Sequence, residues 1–257
     1  MRKYKGYLID LDGTTYFGGH RIPTAETFIK QLIEQEIPFK FVTNNATRSN
    51  KEIAQMLRQD YQLPVDPDMI YTSIQAMIDY IHHLNPKAKL YVVGEASLKR
   101  QLEEADFQLV DDSAVDIVVQ ALNRQVTYAD LSQATQAILN GAEFLVTNTD
   151  NLIPTSQGLQ PSSGALTAFI QYASKKEPIV MGKPHAPIME GALEQLGLAK
   201  DEVLMVGDNY HTDIQAGIQA GIDTLLVLTG VTQKEELDSL PIPATYVVED
   251  LSHWSLT

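Results

Sequence analysis

The 257-residue chain contains no cysteine, and this absence excludes several kinds of protein. Without thiols there is no disulfide scaffold, no thiolate zinc site, no iron–sulfur cluster and no cysteine nucleophile. Basic residues are also scarce: 19 lysines and arginines stand against 33 aspartates and glutamates, a formal net charge of −14. Nucleic acids and anionic membranes are bound through basic surfaces, so we expect neither of them as a partner.

The sequence also has no long apolar run, and we expect no leader segment. Residues 1–7 are short and charged before a strand-like run, which predicts no signal peptide. No apolar run reaches the ~18 residues of a membrane span, and we therefore expect a cytoplasmic protein. The chain is nevertheless 44% hydrophobic, and its length suits one large α/β domain or two domains with a substantial core.

Short β-rich apolar runs alternate with helical stretches, which is the pattern of a parallel sheet with crossover helices. The pattern restarts in the middle of the chain, so we predict a core formed by residues 1–75 and 179–257 and an inserted α/β domain at 76–178. A single (β/α)₈ barrel also fits the length, but the positions of the polar motifs favour an open sheet. The predicted strands are 6–9, 39–42, 69–71, 203–206, 224–228 and an edge strand at 246–248 in the core, and 90–93, 117–119 and 144–146 in the insertion.

Polar residues follow four of the predicted strands, and the carboxyl ends of parallel strands meet at one crevice. The first cluster contains Asp10 and Asp12. Residues two apart in an extended segment point the same way, so both carboxylates can face one site, and Gly13 allows the chain to turn away. An Asx-turn is the alternative. An EF-hand is excluded, because the positions of its required glycine and glutamate hold Thr15 and Arg21.

The other three clusters differ in chemistry. The run Thr43-Asn44-Asn45 offers a hydroxyl, two amides and backbone N–H groups, for either a helix-capping turn or an oxyanion cradle. Lys183 is either an exposed lysine or an anion ligand, and it is not a Walker A lysine because Glu177 occupies the place of the first glycine. Asp208 directly follows an apolar strand, whereas Asp213 either caps a helix or joins the site.

In this order, Asp-x-Asp-Gly-Thr, a strand-end Thr, Gly-Lys-Pro and Gly-Asp-x-x-x-Thr-Asp resemble the haloacid dehalogenase (HAD) phosphatase superfamily. The Asp-Gly-Thr-x-x-x-Gly run at 12–18, the Thr-Asn-Asn run at 43–45 and the large insertion resemble its NagD and p-nitrophenylphosphatase-like branch. The resemblance covers nearly the whole chain and implies a Rossmann-like three-layer parallel-sheet core with an inserted α/β cap of the C2 type. One departure lies at 161–164, where relatives often have Pro-Gly-x-Gly and this chain has Pro-Ser-Ser-Gly.

The resemblance also implies a role for each matching position. Asp10 is expected to be the nucleophile and Asp12 the general acid and base. In the cap, Asn148 and Asp150 are expected to face the substrate, and a surface turn is the other interpretation of their loop. The remaining expected roles are Thr43, Asn44 and Lys183 as phosphate ligands; Asp10, Asp12 (through its backbone carbonyl) and Asp208 as metal ligands; and Gly13, Asn209 and Asp213 in support.

The chemistry of these residue types agrees with that assignment. A carboxylate can attack phosphorus to give an aspartyl-phosphate, and a second carboxyl group can give and take the proton. Four carboxylates carry a charge of −4, and a protonated Asp12, one Mg²⁺ and Lys183 bring the site to about neutral. Mg²⁺ suits such oxygen ligands, so we expect it as the cofactor.

We therefore expect hydrolysis of a small phosphorylated metabolite, such as a sugar phosphate or nucleoside monophosphate, with p-nitrophenyl phosphate as an in vitro substrate. Two alternatives lack turnover: a phosphoaspartate signalling receiver and a phosphate-sensing protein. A phosphomutase of the same superfamily is a third, and it differs only in the acceptor of the phosphoryl group. On family grounds alone, a homodimer formed through the cap is a further expectation.

Overall fold

The computed structural model describes residues 3–155 and 158–256. Strands and helices alternate along the chain, as the sequence pattern predicts. Within the described residues the strands are β1 (Gly6–Ile9), β2 (Tyr16–Phe17), β3 (His20–Arg21), β4 (Phe39–Thr43), β5 (Ile70–Thr72), β6 (Lys89–Val93), β7 (Gln108–Leu109), β8 (Ile117–Gln120), β9 (Glu143–Val146), β10 (Leu152–Thr155), β11 (Gly158–Pro161), β12 (Ile179–Val180), β13 (Val203–Gly207), β14 (Asp223–Val227) and β15 (Tyr246–Val248).

Helices connect most of these strands. Several short 3₁₀ turns lie between them, and a π-helical turn spans Tyr210–Ile214. The α-helices are α1 (Pro23–Glu34), α2 (Asn50–Asp60), α3 (Ser73–Leu84), α4 (Ala96–Glu104), α5 (Tyr128–Leu139), α6 (Ser163–Ser174), α7 (Ala186–Leu196) and α8 (Gln215–Ala220).

The chain forms two compact units. The core unit comprises the described parts of Met1–Thr43, Asn50–Tyr71 and Lys183–Thr257, and the inserted unit comprises Asn44–Ser49 and Thr72–Gly182. The short segment after β4 thus belongs to the inserted unit, which the sequence pattern does not indicate.

The core unit is built on a six-stranded sheet with the strand order β15-β14-β13-β1-β4-β5. The pairs from β15 to β4 are parallel. The predicted edge strand is confirmed as β15. Alternate residues of the strands, such as Tyr7 and Ile9 of β1, face a buried cluster that includes Phe28 and Leu32 of α1. Helices α7 and α8 contact each other, α7 lies against β4 and α8 against β14. The predicted α/β class with a parallel-sheet core is confirmed.

The inserted unit has its own parallel sheet, with the order β12-β9-β8-β6-β7. Strands β8 and β9 are nearly all buried apolar residues, as expected of strands covered on both faces. A separate antiparallel hairpin joins β10 to β11. Gln120 ends β8 without contact with solvent, and its side-chain oxygen accepts a hydrogen bond of 2.5 Å from the hydroxyl of Thr167 on α6.

Among the described residues, no helix is both long enough and apolar enough to cross a membrane.

Candidate active site

Asp10 stands immediately after β1, where the sheet ends. Its N–H donates to the carbonyl of Val206 on β13 (2.9 Å), and its own carbonyl accepts from the hydroxyl of Thr15 (2.8 Å). The residue is only 7% exposed. The continuous apolar strand places the carboxylate at the carboxyl end of β1, and the hydrogen bond from Thr15 closes the turn that follows.

Lys183 lies inside the protein and is not an exposed lysine. Its side chain is 2% exposed, and Nζ lies 2.5 Å from Oδ1 of Asp10 and 2.7 Å from Oδ1 of Asp213. Nζ also donates to the carbonyl of Val42 (2.8 Å) at the end of β4. A lysine is buried at this depth only when it is paired, and here two carboxylates and a carbonyl surround it.

The two acidic residues after β13 are fully buried, at 0% exposure for Asp208 and 1% for Asp213. Oδ2 of Asp213 accepts the N–H of Asn209 (3.0 Å), and the hydroxyl of Thr212 donates to its Oδ1 (3.2 Å). Asp213 therefore closes the turn, as the capping interpretation requires, and it also ion-pairs with Lys183. Its expected supporting role in the site stays a prediction.

Among the described residues, the carboxylates of Asp10, Asp208 and Asp213 form one group whose ligand oxygens lie within 4.8 Å of one another. Three carboxylates and the ammonium of Lys183 sum to −3 + 1 = −2. Hard oxygen donors with that charge suit a divalent cation such as Mg²⁺ or Mn²⁺. A buried aspartate cluster of this kind can bind a divalent metal.

Asp12 stands apart from this carboxylate group. Its side chain is exposed, and Oδ1 accepts the N–H of Gly18 at 3.3 Å in the β2–β3 turn. The third side chain in the acidic group is that of Asp213, which the sequence analysis expects only in support. The expected contribution of Asp12 through its backbone carbonyl stays a prediction.

Burial and mutual repulsion shift the titration of the group. Burial, followed by the nearby charge of Asp213, raises the pKa of Asp10 well above its ordinary range and that of Asp208 to about 6. Burial lowers the pKa of Lys183, but the carboxylates of Asp10 and Asp213 together raise it above its usual value. The lysine is therefore charged. One ammonium group does not neutralise three carboxylates, and a bound cation would supply the missing positive charge.

The Thr-Asn-Asn run divides between the two units. Thr43 is buried at the end of β4 in the core unit. The carbonyl of Asn44, in the inserted unit, accepts hydrogen bonds from the Ser73 hydroxyl and the Asn148 amide, both 3.2 Å long. Oδ1 of Asn45 accepts the N–H groups of residues 47 and 48, so this residue closes an Asx-turn before α2, which begins at Asn50. Their contacts with phosphate stay predictions.

The loop after β9 places its two expected substrate-facing residues differently. Asn148 is 7% exposed, and its Oδ1 accepts the N–H of Asp150 (3.2 Å). The side chain of Asp150 is exposed, while its carbonyl accepts the N–H of Gly164 (2.9 Å). In the departure from the Pro-Gly-x-Gly pattern, Ser162 has an ordinary φ of −106° and needs no glycine. Asn148 fixes the loop, and the side chain of Asp150 lies at its surface.

Sequence reasoning predicts no role for the residues that contact Asp208 or for the rest of their loop. Oδ1 of Asp208 accepts the hydroxyl of Thr14 (3.1 Å), and its Oδ2 accepts the N–H of Val231 (2.7 Å). Thr229 and Gly230 lie in the same loop after β14. The sequence could have indicated this loop, because Thr-Gly-Val-Thr directly follows a predicted strand, as the four polar clusters do.

Two family models match the chain: one described as haloacid dehalogenase-like hydrolase, over residues 7–108, and one described as HAD-hydrolase-like, over residues 180–254. Acid sugar phosphatase of Staphylococcus epidermidis is 43% identical over 98% of this chain and 97% of its own. 5'-Nucleotidase YutF of Bacillus subtilis is 41% identical over 99% of this chain and 98% of its own.

Solved structures agree over the whole chain. A double mutant of the thermostable NPPase from Geobacillus stearothermophilus superposes with a TM-score of 0.93 at 45% identity, covering 100% of both chains. NagD from Escherichia coli K-12 superposes with a TM-score of 0.92 at 30% identity, again over 100% of both. The chain therefore belongs to the haloacid dehalogenase-like hydrolase family and is a phosphatase of its NagD and p-nitrophenyl phosphatase-like branch.

Proposed function

We propose that this phosphatase hydrolyses small phosphomonoesters of the sugar phosphate or nucleoside monophosphate class with Mg²⁺, through an aspartyl-phosphate on Asp10. The observation that supports this most is the buried Lys183, which is ion-paired to Asp10 and Asp213 beside Asp208. The pairing holds a carboxylate, a cation and two further acids together where β1 and β13 end. The names of the relatives, a sugar phosphatase and a 5'-nucleotidase, support the substrate class.

In the first proposed step, a carboxylate oxygen of Asp10 attacks phosphorus and the bond from phosphorus to the ester oxygen breaks. Asp12, in its protonated form, donates its proton to the departing alkoxide. The exposed position of Asp12 suits this exchange, because the same group must next meet water. Lys183 donates to Asp10 and so favours its ionised form against the effect of burial, and it would offset charge on the phosphoryl oxygens.

In the second step, ionised Asp12 takes a proton from water, and the oxygen of that water attacks phosphorus. The bond from Asp10 to phosphorus breaks, and inorganic phosphate and both aspartates are regenerated. Asp10, Asp208 and the backbone carbonyl of Asp12 would hold Mg²⁺, with Asp213 beside them. That cation, when bound, supplies positive charge to the phosphoryl group.

The direct experiment measures inorganic phosphate released from a panel of sugar phosphates, nucleoside monophosphates and p-nitrophenyl phosphate, with and without Mg²⁺. Turnover that depends on Mg²⁺ supports the proposal. Phosphate uptake by Asp10 without release would instead indicate a signalling receiver, and transfer to a second hydroxyl without phosphate release would indicate a mutase.

We further propose that the inserted unit, predicted at 76–178, selects the substrate through Asp150. An exposed carboxylate can accept hydrogen bonds from the hydroxyls of a sugar, which is the part of the substrate that does not react. For Asp150→Ala, we expect kcat/KM to fall about tenfold for the best sugar or nucleoside substrates, the cost of one charged hydrogen bond. Hydrolysis of p-nitrophenyl phosphate, which has no such hydroxyls, should change less than twofold.

Asp111→Ala is the matched control, because it removes another exposed aspartate of the same unit. It should leave every substrate unchanged. An equal loss across the whole panel for Asp150→Ala would contradict a role in selection, and no change for any substrate would return this residue to a surface turn.

The metal-free protein should lose stability as the pH rises through about 6. Burial raises the pKa of Asp208 from its ordinary 3.8 to about 6, so the folded protein favours the protonated acid. That contribution is fully present below 3.8 and is lost as the pH passes about 6. The raised pKa of Asp10 acts in the same direction. Metal binds the ionised carboxylates, so the gain in Tm from saturating Mg²⁺ should be larger at about pH 7.5 than at about pH 5.

Differential scanning fluorimetry in EDTA and in Mg²⁺ at both pH values measures this difference. Asp208→Asn removes one titrating group and one ligand, so its gain from Mg²⁺ should be small at either pH. Equal gains at both pH values in the unaltered protein would contradict the prediction.

A further inference from the structure

The loop after β14, Thr229–Thr232, binds the acidic site without adding a charge to it. The hydroxyl of Thr229 donates to the carbonyl of Gly13 (2.6 Å). The N–H of Val231 donates to Oδ2 of Asp208 (2.7 Å), and the N–H of Thr232 donates to the Asp208 carbonyl (3.1 Å). Three hydrogen bonds thus tie this loop to two different strand-end turns.

Gly230 makes the close approach possible. A Cβ on Gly230 would overlap the carboxylate of Asp208 and lie 2.8 Å from the Cα of Gly13. A Cβ on Gly13, which has φ +97°, would overlap the same carboxylate. The carboxylate of Asp208 therefore packs closely against two backbone segments that have no side chains at the point of contact.

The orientation of this carboxylate is fixed at both oxygens, by the hydroxyl of Thr14 on Oδ1 and by the N–H of Val231 on Oδ2. A carboxylate held in this way cannot rotate to find a cation, so the position of the loop decides where the oxygens point. Among the described residues, the hydroxyl of Thr229 links the loop to the Gly13 turn. Groups that orient metal ligands in this manner typically change metal affinity 10–100-fold when removed.

We infer that Thr229 is a positioning residue for the metal site. Its hydroxyl holds the Thr229–Thr232 loop against the Gly13 turn, and the loop in turn orients the Asp208 carboxylate for a divalent cation. This inference rests on the proposed function, because it takes Asp208 as a metal ligand. A purely structural threonine would instead affect stability and leave metal affinity unchanged.

The test compares Thr229→Val with Thr229→Ser and measures Mn²⁺ binding by electron paramagnetic resonance. Mn²⁺ serves as the probe because it accepts the same oxygen ligands as Mg²⁺. We expect the Kd for Mn²⁺ to rise about tenfold in Thr229→Val and to return within twofold of the unaltered protein in Thr229→Ser, which restores the hydroxyl. At saturating metal, KM for p-nitrophenyl phosphate should stay within twofold. If Thr229→Val does not fold, Thr229→Ala takes its place with the same expectation.

Thr224→Val is the matched control. Thr224 is a buried threonine at the opposite end of β14, and its hydroxyl oxygen accepts the N–H of Thr245 (3.1 Å). The variant should lower Tm without changing the Kd for Mn²⁺. A Kd unchanged in Thr229→Val, or raised equally in Thr229→Ser, would overturn the inference.

Asp208→Asn in the same titration distinguishes a failure of the proposed metal site from a failure of the positioning role of Thr229. If Asp208→Asn binds Mn²⁺ as tightly as the unaltered protein, the proposed metal site is wrong, and the inference is overturned with it. If Asp208→Asn binds weakly while Thr229→Val binds normally, the metal site stands and only the positioning role is overturned.

Discussion

Asp10→Asn is expected to lower kcat at least about a thousandfold while the protein stays folded. An amide has nearly the shape of a carboxylate but is a poor nucleophile, so the first covalent step is lost. The fold should tolerate the change, because Lys183 keeps its ion pair with Asp213 at 2.7 Å. The substitution also removes one negative charge from a group in which burial and repulsion raise the pKa of Asp10. Phosphate release and thermal unfolding measure the two effects.

Asp223→Asn is the matched control for this variant. Asp223 begins β14 in the same unit and accepts the hydroxyl of Tyr4 (2.7 Å), outside the acidic group. It should keep the full rate. If Asp10→Asn keeps more than about a tenth of that rate, a loss of less than ~1.4 kcal/mol in the barrier, covalent catalysis by Asp10 is wrong.

Asp12→Asn tests the same mechanism at its second step. p-Nitrophenolate leaves without needing a proton, so the first step should survive in this variant. The second step lacks its base, so the reaction should release about one p-nitrophenolate for each protein molecule and then stall. A rapid-mixing experiment records that burst. Normal steady turnover, or no burst, would contradict the role of Asp12 as base.

The core strands are predictable from the sequence because they are buried on both sides. Strands β1 and β13 are continuous apolar runs bounded by polar turns, and their positions agree with the prediction. The β10–β11 hairpin does not show this pattern at its described apolar side chains: Leu152 of β10 is 53% exposed and Leu159 of β11 is 69% exposed. A strand that is stabilised mainly by pairing with its neighbour leaves little trace in hydrophobic periodicity.

The acidic site is also predictable from the sequence only in part: its residues can be identified locally, but their contacts with one another cannot. Strand-end positions identify Asp10, Lys183 and Asp208 as candidates, because parallel strands deliver their ends to one crevice. They do not indicate which carboxylates pair with which cation. The direct contact between Lys183 and Asp213, residues on different elements, depends on how the Tyr210–Ile214 turn winds after β13. Periodicity carries no information about that winding.

Removal of divalent metal should have an effect as large as the loss of Asp10. The buried acids and Lys183 sum to −2, and a phosphomonoester brings further negative charge. In the metal-free protein this repulsion opposes both substrate binding and the attack of one anion on another. After dialysis against EDTA, we expect phosphate release to fall at least about a thousandfold and to return on addition of Mg²⁺. Full activity in EDTA would contradict metal dependence.

Ca²⁺ separates the effect of charge from the effect of geometry. It carries the same charge as Mg²⁺ but takes six to eight oxygens in flexible arrangements, and it tends to bind carboxylates through both oxygens. Bound in that way, Asp10 would have no free oxygen for attack. We expect Ca²⁺ to raise Tm about as Mg²⁺ does and to restore less than about a hundredth of the rate. If Ca²⁺ restores the full rate, neutral charge alone is sufficient, and the coordination geometry around Asp10 does not limit the reaction.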